Sequence, residues 1–202
     1  MLASSVRDLP AGSLIFDLGT GNGDAVLAAS STCPGCTWVG VDCRREALRE
    51  FCSHWGDEKR DGVLLTVCTM VEDVTAAFPR GCADAVLANP PYGVTGRKRV
   101  SPSAGRERSR SGADTLLFVF LRAASHLLRP GGRLYTVNRP GNLDRLLTGC
   151  AAFDMGVDWI RPAGENGKEA SLVIAGALRS VRREMRLLPR MSVAEITSQF
   201  QE

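Results

Sequence analysis

Short apolar runs of strand length alternate with segments of helical period from residue 14 onward, and this alternation constrains the fold more than any other feature. Leu14-Ile15-Phe16-Asp17-Leu18 reads as a strand ending in a glycine turn, and Asp24 to Ser30 as a helix with Asp24 near its cap. Trp38 to Asp42 is a second strand, Arg44 to His54 a second helix, Val63 to Thr69 a third strand and Asp84 to Ala88 a fourth. Asp114 to Leu128 carries Leu116, Leu117, Phe120, Leu121, Ala124 and Leu127 at helical spacing, and Pro130-Gly131-Gly132 stops that helix. Arg133 to Asn138 is a fifth strand and Leu143 to Ala152 a helix. Gly156 to Arg161 and Ser171 to Leu178 come next as strands with no convincing helix between them, which predicts an antiparallel hairpin.

Continuously apolar strands separated by helices must be covered on both faces. The expected fold is therefore α/β, a Rossmann-like doubly wound, mainly parallel seven-stranded sheet with the last strand antiparallel. A length of 202 residues suits a single domain, here read as spanning 1–202. Residues 93 to 113, rich in Gly, Ser and Arg, are expected to form a mobile loop. No stretch approaches the roughly 20 apolar residues of a membrane span, and the first ten residues lack the apolar core of a signal peptide. The seven cysteines, an odd number with several inside apolar runs, read as reduced thiols of a cytoplasmic protein. Cys33-Pro34-Gly35-Cys36 has no second such pair to complete a metal site and reads as a helix-to-strand turn, so no metal is expected.

In parallel sheets of this kind ligands sit at the carboxyl ends of the strands. The three chemically distinctive segments all begin where strands one, two and four end. After strand one, Asp17 precedes Gly19, Gly21 and Gly23, a spacing different from the G-x-G-x-x-G dinucleotide fingerprint. The glycines let backbone approach a ligand where a side chain would clash. A carboxylate beside the turn suits a ligand with a cationic amino group and would repel a pyrophosphate. Asp42, at the end of strand two, is placed to accept both hydroxyls of a ribose. After strand three, Glu72 and Asp73 stand slightly late for a contact with adenine, and either reach it or open the next short helix.

Asn89-Pro90-Pro91-Tyr92 comes directly after strand four and is the most specific signal in the chain. An amine conjugated to a ring or a carbonyl is a poor nucleophile because its lone pair is delocalised. The Asn89 side-chain oxygen and the Pro90 carbonyl together are suited to accept both amine hydrogens and turn the lone pair outward. Pro90 and Pro91 stiffen the backbone and add no N–H, and Tyr92 offers a face for a flat substrate. Most of the rate would then come from alignment.

With the glycine turn and Asp42, this motif resembles class I S-adenosylmethionine-dependent methyltransferases acting on adenine N6, cytosine N4 or protein glutamine. Ala88 to Tyr92, Gly96-Arg97-Lys98-Arg99-Val100-Ser101-Pro102, Leu128 to Leu134, Asn138-Arg139-Pro140 and Ala170-Ser171-Leu172-Val173 look like the bacterial valine-tRNA (adenine-37-N6) methyltransferase family. The resemblance implies S-adenosylmethionine as cofactor and RNA, most specifically tRNA, as partner. The alternatives are protein-glutamine N5 methylation and a non-catalytic partner-binding relative. The chain departs from the family at Gly93, where an aromatic residue is usual, and at Arg106 to Ser111. It also starts strand one near residue 14, so the segment that commonly packs over the cofactor is expected to be absent. The overall charge of +3 decides little about a nucleic-acid partner, but its distribution is uneven. Arg97, Lys98, Arg99, Arg106, Arg108 and Arg110 are basic beside the single acid Glu107, and are suited to hold phosphates. Arg179 to Arg190 is a second basic run.

Overall fold

The computed structural model describes residues 2, 5, 6, 9–56, 60–91 and 105–192, with side chains from residue 116 onward in the last span. The strands are β1 (Leu14–Leu18), β2 (Cys36–Asp42), β3 (Gly62–Cys68), β4 (Ala83–Ala88), β5 (Leu128–Asn138), β6 (Met155–Gly164), β7 (Leu172–Arg179), β8 (Arg186–Leu187) and β9 (Met191–Ser192). The helices are α1 (Asp24–Ser30), α2 (Arg45–Gly56), α3 (Val74–Ala77), α4 (Gly105–Leu127) and α5 (Leu143–Ala152). The strand order is β3-β2-β1-β4-β5-β7-β6-β8, with β9 also on β6. Strands β1 to β5 pair in parallel, and β7 runs antiparallel to both β5 and β6. The predicted sheet and its terminal hairpin are both present. The two short strands β8 and β9, parallel to β6, are not expected from the sequence.

Alternation along each strand divides the core in two. Phe16, Leu18, Val39, Val41, Val86, Ala88 and Leu134 meet α3, α4 and α5 on one face. Ile15, Trp38, Ala85, Leu87, Tyr135 and Val137 form the other core with residues of α1 and α2 and with Leu2 and Val6. Among the described residues no helix is long and apolar enough to cross a membrane. All seven cysteines carry free thiols; Cys33 and Cys36 are buried on either side of the Pro34-Gly35 turn and hydrogen-bond to the carbonyls of Val6 and Pro10.

The expectation of a loop through residue 113 is corrected, because α4 already begins at Gly105. Once Leu117, Phe120, Leu121, Ala124 and Leu127 bury the C-terminal part of the helix, extension toward the N-terminus costs only propagation, and Arg and Glu are good helix formers. At its other end α4 stops at Leu127, two residues before Arg129, whose helical conformation Pro130 disfavours.

Phe51 of α2 lies wholly buried between two backbone segments that approach it only because they are glycine. A Cβ on Gly23 would fall 2.0 Å from its ring, and one on Gly40 2.8 Å. Phe51 thereby locks α2 against β2 and the start of α1, beneath the glycine turn. Gly40→Ala, which needs no unusual backbone angle, is expected to destabilise the fold by about 1–3 kcal/mol through overpacking. Denaturant unfolding should show a lower midpoint at unchanged slope; an unchanged midpoint would mean that Phe51 has room to move.

Candidate active site

Register brings three strand ends to one edge. Leu18 pairs with Val41 of β2 and with Ala88 of β4, so Gly19, Asp42 and Asn89 all emerge beside one another. The N–H groups of Gly19 and Thr20 both donate to the Val41 carbonyl, at 2.8 and 3.0 Å, which folds the turn back over β2. Gly19, Gly21 and Gly23 have φ of 70°, 59° and 86°, a left-handed region costly for other residues. The turn then leads into α1 at Asp24. A Cβ on Gly19 would touch the Phe120 ring at 3.2 Å, and one on Gly21 the Arg44 guanidinium at 3.3 Å, so the glycines leave a cradle that side chains would fill.

Asp17 lies below this cradle, 3% exposed, and accepts the Thr20 hydroxyl at 2.7 Å. Burial pushes its carboxyl up to about 7; the Thr20 hydrogen bond opposes this and the nearby Asp42 charge adds to it. A buried carboxyl so far above its ordinary value is matched by a cationic group brought beside it. Asp42 behaves oppositely. Burial favours its neutral form, yet the Arg44 N–H, the Arg44 side chain and the Gly21 N–H outweigh this and hold its carboxyl below the ordinary value. Gly21 N–H donates to Oδ2 at 2.9 Å, and Arg44 N–H and Nε donate to Oδ1 at 2.8 and 3.2 Å. Asp42 therefore ties the glycine turn to the end of β2 as well as presenting an anionic oxygen pair. A cationic amino acid group at Asp17 and a ribose at Asp42 suit the two carboxylates in kind and in order, so the residues present fit S-adenosylmethionine.

Asn89 is exposed, Pro90 buried and Pro91 exposed, directly after β4. Tyr92, Arg97, Lys98 and Arg99 lie outside the described residues, and Arg106, Arg108 and Arg110 belong to the first turns of α4 with their side chains outside the description. Glu72 and Asp73 are exposed in a 3₁₀ turn (Val71–Asp73) that leads into α3, the helix-opening alternative of the two considered for them. Two polar residues join the mouth that sequence patterning assigns only to a strand. Thr136 of β5 pairs with Ala88, and Asn138, two residues on, reaches the level of Pro90. Both are 2% exposed, and the Asn138 amide donates to the Thr136 hydroxyl at 3.1 Å. The signal available in the sequence is a polar pair spaced by two at the end of an apolar strand. Among the described residues no group of three or more His, Cys, Asp or Glu side chains is gathered to hold a metal ion.

Comparison with known proteins gives consistent matches. Residues 1–148 match the family model described as methyltransferase small domain. The tRNA1(Val) (adenine(37)-N6)-methyltransferase of Aeromonas hydrophila is 26% identical over 165 residues, covering 79% of this chain and 66% of that protein. The release factor glutamine methyltransferase of Gloeobacter violaceus is 30% identical over 132 residues, covering 61% and 45%. The chain thus spans less than two thirds of the length of these curated relatives. In structure, a predicted O-methyltransferase from Agrobacterium tumefaciens superposes with a TM-score of 0.69 at 21% identity, covering 95% of this chain and 86% of that one, a likeness of fold.

Proposed function

From the premise that the chain belongs to the methyltransferase small domain family, with S-adenosylmethionine as methyl donor, we propose that it methylates a conjugated amino nitrogen of RNA, specifically adenine N6 of a tRNA. The observation that carries this reading is the register of β4. Asn89 and Pro90 come after Ala88, which pairs with Leu18 at the foot of the glycine turn, so two hydrogen-bond acceptors stand next to the cradle. The similarity to a tRNA adenine-N6 methyltransferase supports the choice of substrate.

When bound, S-adenosylmethionine supplies a methyl group on a cationic sulfur. Asp17 faces its amino group, Asp42 accepts from its ribose, and the backbone at Gly19, Gly21 and Gly23 admits its amino acid portion. Glu72 and Asp73, exposed in the turn after β3, are assigned the adenine side of the site. The Asn89 side-chain oxygen and the Pro90 carbonyl accept the two hydrogens of the target amine, which directs its lone pair toward the donor. Pro91 holds that backbone rigid and Tyr92 stacks on the base. No strong base is required, because the proton lost after transfer leaves a far more acidic methylated ammonium and can pass to water. Arg97, Lys98, Arg99, Arg106, Arg108 and Arg110 are assigned to phosphates flanking the target base. The whole of residues 1–202 acts as one catalytic domain, and the seven free thiols suit a reducing cytoplasm.

Protein-glutamine methylation is the second reading, favoured by the similarity to a release factor glutamine methyltransferase. One assay separates the two. The protein is incubated with methyl-labelled S-adenosylmethionine and unmodified tRNA, and the RNA is digested to nucleosides. Label in N6-methyladenosine is expected; label only in added release factor would replace the RNA reading by the glutamine one.

A further inference from the structure

The second basic run lies along the sheet edge in an ordered arrangement. After β7, residues 180–185 lead into β8, and β8 and β9 pair with β6 at Trp159↔Arg186, Ile160↔Leu187, Ala163↔Met191 and Gly164↔Ser192. Because β6 is antiparallel to β7 and β7 antiparallel to β5, this strap climbs in the same direction as β4 and β5. It therefore rises from Arg182 toward the edge at which Asn89 emerges.

Among the described residues its guanidiniums outnumber the carboxylates beside them. Asp154 accepts from buried Arg179 and Ser180, and Arg182 reaches the same carboxylate at 3.5 Å. Buried Asp158 is approached by Arg186 at 3.8 Å and lies in the field of Arg133 and Arg183 as well. Five arginines thus share two carboxylates, and Glu184 is the one further acid between Arg179 and Arg190. The side chains of Arg182 and Arg186 remain 56% and 66% exposed, so both heads can exchange these long contacts for another anion. Met185 and Leu187, 50% and 76% exposed, flank Arg186 and offer apolar contact for ribose and base faces.

We propose that this strap is a docking surface for the RNA backbone, with Arg182, Arg183 and Arg186 holding phosphates while the target base enters beside Asn89. The proposal rests on RNA being the substrate. The strap is four inter-strand steps from β4, roughly 19 Å at about 4.8 Å each. A folded RNA spans that distance when a single base leaves its stack. Charge complementarity selects the partner: a run of exposed guanidiniums in excess of their acids attracts phosphodiesters and releases their counterions.

The test compares wild type with the triple variant Arg182→Gln, Arg183→Gln, Arg186→Gln in salt titrations of binding to an unmodified tRNA transcript. If all three engage, the slope of log affinity against log salt falls by roughly two to three units. The triple Lys variant should restore it, while S-adenosylmethionine affinity stays level in all three proteins. Should the triple Gln variant fail to fold, Arg182→Gln alone reads the same effect as a fall of about one unit, since Asp154 keeps Arg179 as its partner. An unchanged slope in a folded variant overturns the strap and leaves the RNA reading standing. A wild type that binds no tRNA at low salt overturns the RNA reading and the strap with it. Equal binding of wild type to phosphatidylserine vesicles and to tRNA, both lost in the variant, would overturn RNA as the occupant in favour of an anionic membrane.

Discussion

Asn89→Ala is expected to slow methyl transfer by about 10²–10³-fold, the usual cost of removing one well-placed hydrogen-bonding group from a charge-developing centre. Cofactor affinity should stay within a few-fold, because the role proposed for Asn89 is on the target amine. The expectation depends on what Asn89 does to the nucleophile. In the proposed mechanism its oxygen and the Pro90 carbonyl act as a pair of acceptors, and with one gone the amine would be free to rotate its lone pair back into conjugation. Asn89→Asp keeps an acceptor at the same position and should retain more of the rate than Ala does. Single-turnover transfer to tRNA, read beside calorimetric binding of the demethylated cofactor, separates chemistry from binding. Turnover near the wild-type level in Asn89→Ala would remove Asn89 from the mechanism. A parallel collapse of cofactor binding would reassign it to the cofactor site.

The second large effect is expected at Asp17, where stability and binding should move apart. In the unfolded chain an aspartate ionises near pH 4, whereas in the fold burial holds this one protonated until about pH 7. Between those values the folded state carries the additional proton, so stability falls as pH rises through the window and the penalty is fully present above it. Asp17→Asn removes the ionisation and can still accept from the Thr20 hydroxyl. The variant is therefore expected to melt no lower than wild type at pH 8, with a flatter dependence between pH 4 and 7. Its S-adenosylmethionine affinity should nevertheless drop at least about tenfold, one charge-pair's worth at a buried position. Wild type should release close to one proton per cofactor bound near pH 6, as the cationic amino group draws the carboxyl into its charged form, and Asp17→Asn should release none. Calorimetry in buffers of different ionisation enthalpy measures this directly. Equal proton release by both proteins would mean that another group faces the amino group.

Much of this site could be read from residues alone because its signals are local. Strands β1, β2 and β4 announce themselves as apolar runs, and the segment after each has few conformational options. Gly19, Gly21 and Gly23 mark a turn that other residues resist, Asp42 closes a strand, and Pro90 and Pro91 cannot continue one. The antiparallel pairing of β6 and β7 was likewise legible, since too few residues lie between them for a helical crossover.

Other features depend on distant parts of the chain meeting. No local pattern announces β8 and β9, two residues each; they exist because Trp159, Ile160, Ala163 and Gly164 of β6 offer them an edge. The first turns of α4 look like a polar loop and become helix because the apolar turns beyond them are anchored in the core. Phe120 was legible as a buried position, but only packing sets its ring against Gly19. The same holds for Asn138, whose strand-end position becomes part of the mouth through the pairing of Thr136 with Ala88. Sequence by itself determined the order of elements, the glycine turn, and the placing of Asp17, Asp42 and Asn89-Pro90 in or directly after their strands, because periodicity and backbone chemistry are properties of neighbours. Only the tertiary structure decided that one aspartate's carboxyl is pushed well above the ordinary carboxylate range and the other's is held below it. A carboxyl's charge is set by burial and by donors brought from elsewhere, and among the described residues Thr20 donates to Asp17 while Gly21 and Arg44 converge on Asp42.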